Sequence, residues 1–238
     1  MFLLRILTRP LRLVALLVAL VAAGVWVWQR VHSSTPASEE EAVAAFRNGG
    51  QAGVSRRPGV PRPGVYSYRV DGSERASAGP LRVSRRLPRT ALAIVRLTSD
   101  GYETELRLSE EHVEGFRYRV DERGIFATWS RTELTFLGFG REDRRELRPP
   151  PLHMPPRPRL GQEWRDTYRA GELVVRARSR VLRAEAVRIG GRSVPTVVVA
   201  IRSDTEGAHL GRRIETLWWS PEVGLPLRHE TDLEIHGV

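Results

Sequence analysis

The chain has 238 residues, of which 41% are apolar, so it is long enough to bury one core or two small ones. Its formal net charge is +10, and every basic residue is an arginine. Acidic residues lie among these arginines, and no basic helical stripe, zinc-ligand spacing or RNA-binding signature occurs, so we expect no nucleic-acid partner. The absence of cysteine excludes disulfides, a thiolate nucleophile and a cysteine-linked lipid.

The first segment, residues 1–30, contains an uninterrupted apolar run from Leu13 to Trp28. The run is slightly shorter than the roughly 20 residues of a typical spanning helix, and arginines precede it. Trp26 and Trp28 lie where an aromatic belt would meet the outer interface. We therefore predict a cytoplasmic N-terminus, an uncleaved single-pass signal-anchor in the cell membrane and an extracytoplasmic remainder. A signal peptide cleaved after the small residues 22–24 is the alternative.

Residues 31–63 are predicted to form a short capped helix followed by a proline-rich linker. Ser38 and Glu41 have the spacing of a capping box, and the apolar residues that follow define one side of an amphipathic helix. Asn48 and the next two glycines end it. Pro58, with two further prolines in the next five residues, indicates an extended segment.

From residue 64 to residue 238 the dominant period is two, which is typical of half-buried antiparallel strands. The clearest strands are YETELRLS, from Tyr102, and LVVRARSRVL, from Leu173. Further strands are predicted at 65–70, 81–85, 91–99, 112–120, 124–137, 164–170, 186–189, 194–203, 209–219 and 226–235. The predicted fold class is all-β, with the membrane helix and the short helix added: a strongly curved antiparallel sheet, either a half-barrel or an open barrel.

A proline-rich stretch at 149–158 interrupts this pattern. Six prolines favour an extended crossing, and we expect them to keep the stretch out of the sheet. Because apolar strands on both sides need partners, the stretch is interpreted as an excursion within one extracytoplasmic β domain.

Two acidic clusters are candidates for chemistry. In RHETDLEIH, alternate residues from Glu230 to His236 share one face, and we interpret them as a solvated outer face that pairs with the arginines from Arg176 to Arg180. In SEEHVEG, His112 and Glu114 lie in what we interpret as a polar turn. No nucleophile elbow or phosphate-binding loop occurs. We therefore predict no enzyme activity, no metal site and no cofactor.

Two adjacent tryptophans, Trp218 and Trp219, precede a Ser-Pro-x-x-Gly-x-Pro turn. Adjacent strand residues point to opposite faces, so only one of the two can face inward unless a bulge intervenes. Trp218 shares its face with Leu210 and Ile214, whereas Trp219 shares its face with charged residues. Because the residues that share a face with Trp218 are more apolar, Trp218 is predicted to point inward.

Three local features resemble a group of single-pass envelope proteins from GC-rich bacteria: the helix SEEEAVAAFR, the segment PRPGVYSYRVDGSE, and ETLWWSPEVGLPLRHE. The last also resembles the Trp-x-x-Pro-x-x-Gly-x-Pro hairpin of lipoprotein carriers and related lipid-binding half-barrels, through Trp218, Pro221, Gly224 and Pro226. The resemblance implies a curved antiparallel sheet with an apolar concave face. The carriers are soluble or lipid-anchored, whereas a helical tether is predicted here.

Two functions follow as expectations. The first is an anchored half-barrel that binds a lipid-like or amphiphilic molecule in the cell envelope, with arginines near an anionic headgroup. The second is a non-catalytic module for an envelope protein partner, with the sheet filled by its own side chains. The residues expected to line the ligand site are Trp218, Ile214, Leu210, Tyr102, Leu106 and Arg178.

Overall fold

The computed structural model describes residues 34–49, 59–78, 81–136, 139–207 and 210–236. The predicted membrane helix and most of the predicted linker lie outside these residues. Within the described part of the chain, no helix is long and apolar enough to cross a membrane.

One helix and fourteen strands make up the described fold. The helix α1 spans Glu39–Asn48, and the Ser38 side chain accepts a hydrogen bond from the Glu41 amide, as the capping pattern predicts. The strands are β1 (Gly64–Arg69), β2 (Ser73–Ala78), β3 (Leu81–Arg86), β4 (Thr90–Leu97), β5 (Gly101–Ser109), β6 (His112–Asp121), β7 (Gly124–Phe136), β8 (Phe139–Arg148), β9 (Leu152–Met154), β10 (Glu163–Ala170), β11 (Leu173–Ile189), β12 (Arg192–Glu206), β13 (Leu210–Ser220) and β14 (Leu225–His236).

The strands form one antiparallel sheet of order β1-β4-β5-β6-β7-β8-β10-β11-β12-β13-β14, with β9 paired to β7 and with β2 and β3 as a separate hairpin. The sheet is a strongly curved half-barrel, which confirms the all-β prediction. Two contacts between strands that are far apart in the sheet order show this curvature. Arg213 on β13 lies 3.6 Å from Glu114 on β6, although six strand pairings separate them in the sheet. The Tyr68 hydroxyl on the first strand donates to the Pro226 carbonyl on the last at 3.0 Å.

The face that carries the main core is named the inner face here, and the opposite face the outer face. Buried side chains from β4 through β14 meet on the inner face, including Val95, Tyr102, Val199 and Trp219. On the outer face, α1 packs with Ala42 against Leu92 and Ile94 of β4. A single main core inside the curve therefore holds both halves of the sheet together.

The two ends of the half-barrel differ. At one end, named the closed end, the turn after β13 meets the segment before β1: a Cβ added to Gly224 would lie 3.0 Å from the Pro61 nitrogen. Gly224 also has φ of 74°, so glycine is favoured for both reasons. At the other end, named the hairpin end, the hairpin β2–β3 is held by Arg85, which donates to the Thr135 carbonyl at 3.0 Å.

Several strand predictions need correction. β8 and β2 were not predicted because their sequences, FGREDRRELR and SERASA, are polar or low in β-branched residues. Residues 173–189 form one strand with a bulge between Val181 and Arg183, not two strands. The proline-rich stretch enters the sheet after all: Met154 pairs with Ile125 and is 1% exposed. The three residues of β9 contain no proline, which is why they can pair.

Candidate functional site

Charged side chains on the inner face form a connected network at the hairpin end. Arg213 lies 3.6 Å from Glu114 and 3.1 Å from Glu215. His229 lies 3.0 Å from the same Glu215. Strand alternation explains the placement on β13, because residues 213, 215, 217 and 219 share one face. The inner face is therefore not uniformly apolar.

The network continues through β6 to the hairpin. His112 lies 3.7 Å from Glu114 through Nε2 and pairs through Nδ1 with Glu74 of β2. Glu74 in turn forms an ion pair of 2.6 Å with Arg85 of β3. His112, Glu114 and Glu74 are each about one seventh exposed, at 14–15%. The hairpin β2–β3 is thus joined to the sheet by partly buried charges.

The electrostatics follow from this pairing. Burial alone would raise the pKa of Glu114, but Arg213 and His112 lower it to about 2. Burial would lower the pKa of His112, but hydrogen bonds to Glu114 and Glu74 raise it to about 9. The pKa of Glu215 is also lowered, since Arg213 and His229 outweigh the burial that opposes them. At neutral pH these groups are charged and mutually compensated.

An aromatic cluster lies on the inner face toward the closed end. The rings of Tyr102 and Tyr118 have centroids 4.9 Å apart, and His153 lies 4.9 Å from Tyr118 and 5.7 Å from Trp219. Burial lowers the pKa of His153 to about 4, so its ring is neutral at pH 7. This end of the inner face is filled by its own side chains.

Toward the hairpin end, the apolar side chains of the inner face are less covered. Tyr102 is 1% exposed, whereas Leu233 on the same face is 51% exposed. Other inner-face residues here are partly exposed: Leu106, Leu108, Phe116, Leu134 and Tyr168. Arg213 adds a buried Nε with no hydrogen-bond partner among the described residues. Apolar walls and the Arg213 side chain, which is 24% exposed, therefore share one partly open region, named here the hairpin-end concavity.

The predicted direction of the two tryptophans is wrong. Trp219 is 3% exposed and lies in the inner core. Trp218 is 4% exposed on the outer face, opposite Val198 and under the Arg228 guanidinium, 4.3 Å from its ring centroid. The apolar residues that share a face with Trp218 did not indicate the inner face, because Leu210 and Ile214 are exposed, at 60% and 39%. The charges on the other face are paired inside the half-barrel.

The six predicted ligand-site residues thus divide between the two faces. Tyr102 and Leu106 share the inner face, Tyr102 in the core and Leu106 in the hairpin-end concavity. Trp218, Ile214 and Leu210 lie on the outer face. Arg178 is also outer, 58% exposed and 2.9 Å from Glu163. The structure does not bring these six residues into one site.

The two acidic clusters lie on opposite faces of the sheet. Glu230, Asp232 and Glu234 are exposed on the outer face, but β14 pairs with β13 and not with the arginines of β11. His112 and Glu114 belong to strand β6 and point inward, so the polar-turn interpretation holds only for residues 110–111. The period-two pattern placed Glu114 and Phe116 on one face, but nothing local identified that face as inner. In the described residues, no cluster of His, Asp or Glu could hold a metal ion.

Comparison with protein-family models, with curated proteins and with solved structures found no match to this chain.

Proposed function

We propose that this chain is a non-catalytic protein of the cell envelope that binds a lipid-like or other amphiphilic molecule in the hairpin-end concavity. The observation that carries the proposal is the juxtaposition of partly exposed apolar side chains and the Arg213 side chain, which is 24% exposed. An amphiphile matches both parts, because its apolar portion would cover the walls and its polar oxygen would accept a hydrogen bond from the Arg213 guanidinium.

The apolar walls come from both sides of the half-barrel. Leu106 and Phe116 belong to β5 and β6, whereas Leu233 belongs to β14. Covering Leu233, which is 51% exposed, would remove apolar surface from water, at about 25 cal/mol per Å². A bound apolar group therefore gains free energy without rearranging the aromatic cluster at the closed end.

The charged network supports binding more than catalysis. A general base needs a pKa near the working pH, and the pKa of Glu114 is lowered to about 2 by Arg213 and His112. Glu215 is likewise held ionised by Arg213 and His229. Such carboxylates orient the arginine and attract protons weakly. Their role in the proposal is to fix the Arg213 guanidinium in place.

The proposal is tested by measuring the lipids that accompany the purified full chain. We expect solvent extraction and mass spectrometry to find amphiphile in a fixed ratio to protein. Leu106→Trp, which fills the hairpin-end concavity, should lower that ratio several-fold. Leu210→Trp, an equal change at an outer residue of β13 that is 60% exposed, is the control and should leave the ratio unchanged. Equal ratios in both variants and in the parent chain would overturn the proposal.

A second candidate is a non-catalytic module that recognises an envelope protein partner, with its sheet filled by its own side chains. The filled closed end favours it, since Tyr102, Met154 and Trp219 are 1–3% exposed on the inner face. Chain that carries no amphiphile after mild preparation, while crosslinking to one protein in cells, would support this candidate instead.

A further inference from the structure

Strands β11 and β12 continue beyond both of their neighbours. β10 pairs with β11 only as far as Arg180, and β13 pairs with β12 only from Val197. Beyond these points β11 and β12 pair with each other alone, from Glu185 opposite Thr196 to Ile189 opposite Arg192. At about 3.3 Å per residue, this hairpin projects roughly 16 Å from the closed end. Residues 185–196 are named the arm.

Large aliphatic side chains are exposed on and beside the arm. Leu182 is 41% exposed and Ile189 is 46% exposed. Leu160, 74% exposed, lies beside the base of the arm, because the Gly161 amide donates to the Val181 carbonyl at 2.9 Å. Leu160 and Leu182 therefore lie at the base of the arm and Ile189 lies near its tip, so exposed aliphatic side chains mark both ends of this projecting hairpin.

The same surface carries several arginines. Arg159 and Arg192 are exposed and form no ion pair within the described residues, whereas Arg178 and Arg202 pair with Glu163 and Asp204. On the adjoining outer face, Arg178 lies directly opposite both Arg165 and Arg202. Like charges directly opposite each other on neighbouring strands destabilise a sheet. An anionic partner would relieve this repulsion.

We infer that the arm and the outer face of β10–β12 form a docking surface for a bilayer with anionic headgroups. The arginines of this surface would meet the headgroups, while Leu160, Leu182 and Ile189 would enter the boundary with the acyl chains. A soluble polyanion would satisfy the arginines but leave these aliphatic side chains in water. The surface is on the opposite face from the hairpin-end concavity, so this inference does not depend on the proposed ligand.

The absence of cysteine from the sequence makes a local test possible. Full chain with Ile189→Cys is labelled with a polarity-sensitive dye and mixed with vesicles of phosphatidylcholine, alone or with phosphatidylglycerol. We expect a blue shift of emission, and quenching by lipid-chain spin labels, only with phosphatidylglycerol, and both should weaken as salt is added. A label at Glu172→Cys, an exposed turn residue at the hairpin end, is the control. Because the dye reports its own surroundings, insertion of the apolar N-terminal run alone would not produce the signal.

Charge reversal tests the arginines directly. Arg178→Glu combined with Arg192→Glu should abolish the shift at residue 189. Arg144→Glu combined with Arg148→Glu, at exposed positions on β8, should preserve it. Emission that is the same with neutral and anionic vesicles would overturn the inference. A blue shift induced equally by poly-glutamate without lipid would also overturn it and would assign the surface to an acidic protein partner.

Discussion

On the inner face, Arg213 lies between Glu114 and Glu215, at 3.6 Å and 3.1 Å, whereas on the outer face Arg178 and Arg202 are 58% and 57% exposed and lie directly opposite each other. Both arrangements occur on neighbouring strands of one curved sheet. Burial explains the difference, since a charge withdrawn from water needs a partner and an exposed charge does not. The inner charges therefore hold the half-barrel together, whereas Arg178 and Arg202 have only the solvent-accessible partners Glu163 and Asp204 and remain open to contacts outside the molecule.

The largest expected loss of stability comes from the two adjacent tryptophans, which lie on opposite faces of β13. Trp219→Ala should lower the free energy of unfolding by about 3–5 kcal/mol, because a large cavity would open in the inner core. Trp218→Ala should cost clearly less, since the Arg228 side chain that covers it can move into the space. Urea unfolding of the two variants measures both losses. An equal or greater loss for Trp218→Ala would mean that the outer face carries as much core as the inner face.

The inner ion pairs can be broken directly. Arg213→Met should lower the free energy of unfolding by about 3 kcal/mol, since it leaves Glu114 and Glu215 without their shared cation. Glu114 is 15% exposed, so some water can reach it. The expected loss of unfolding free energy is therefore at the lower end of the range for breaking a buried ion pair. Chemical denaturation at neutral pH measures the loss. A change below about 1 kcal/mol would show that the network behaves like surface charge.

The sequence predicted the secondary-structure type well, because the period of two and the turn residues are local features. It predicted the faces poorly on β13. Leu217, Trp218 and Trp219 are consecutive apolar residues, so alternation alone gave no direction. The deciding contact, Arg213 with Glu114, joins residues about a hundred positions apart and depends on how the sheet curls. The local pattern was enough to place Leu106 among the candidate ligand-site residues, but it could not show that Arg213 lies near it.

The pH dependence of stability should reveal the His112 link between the sheet and the hairpin. The pKa of His112 is raised from 6.5 to about 9 in the folded chain. Its contribution is therefore complete below about pH 6.5, declines as the pH rises and is lost above about pH 9. We expect the chain to lose about 3 kcal/mol between these values, and His112→Gln to show a flatter profile. Thermal melts across this range provide the measurement, and parallel profiles would exclude the link.

The smallest expected change in stability comes from a substitution on the outer face. Arg178→Thr removes one exposed arginine from between Arg165 and Arg202 and places a β-branched residue in a strand. It also removes an ion pair with Glu163, which is 32% exposed and contributes little. Because the lost repulsion offsets the lost attraction, the free energy of unfolding should change by less than about 0.5 kcal/mol.

Arg145→Thr on β8 is the matched contrast, since that arginine is 19% exposed and donates to the Ala170 carbonyl at 3.0 Å. Urea unfolding should show a clear loss for Arg145→Thr and almost none for Arg178→Thr. A loss at Arg178 as large as that at Arg145 would mean that the outer arginines hold the fold together, and a docking role would then no longer be needed to account for their exposure.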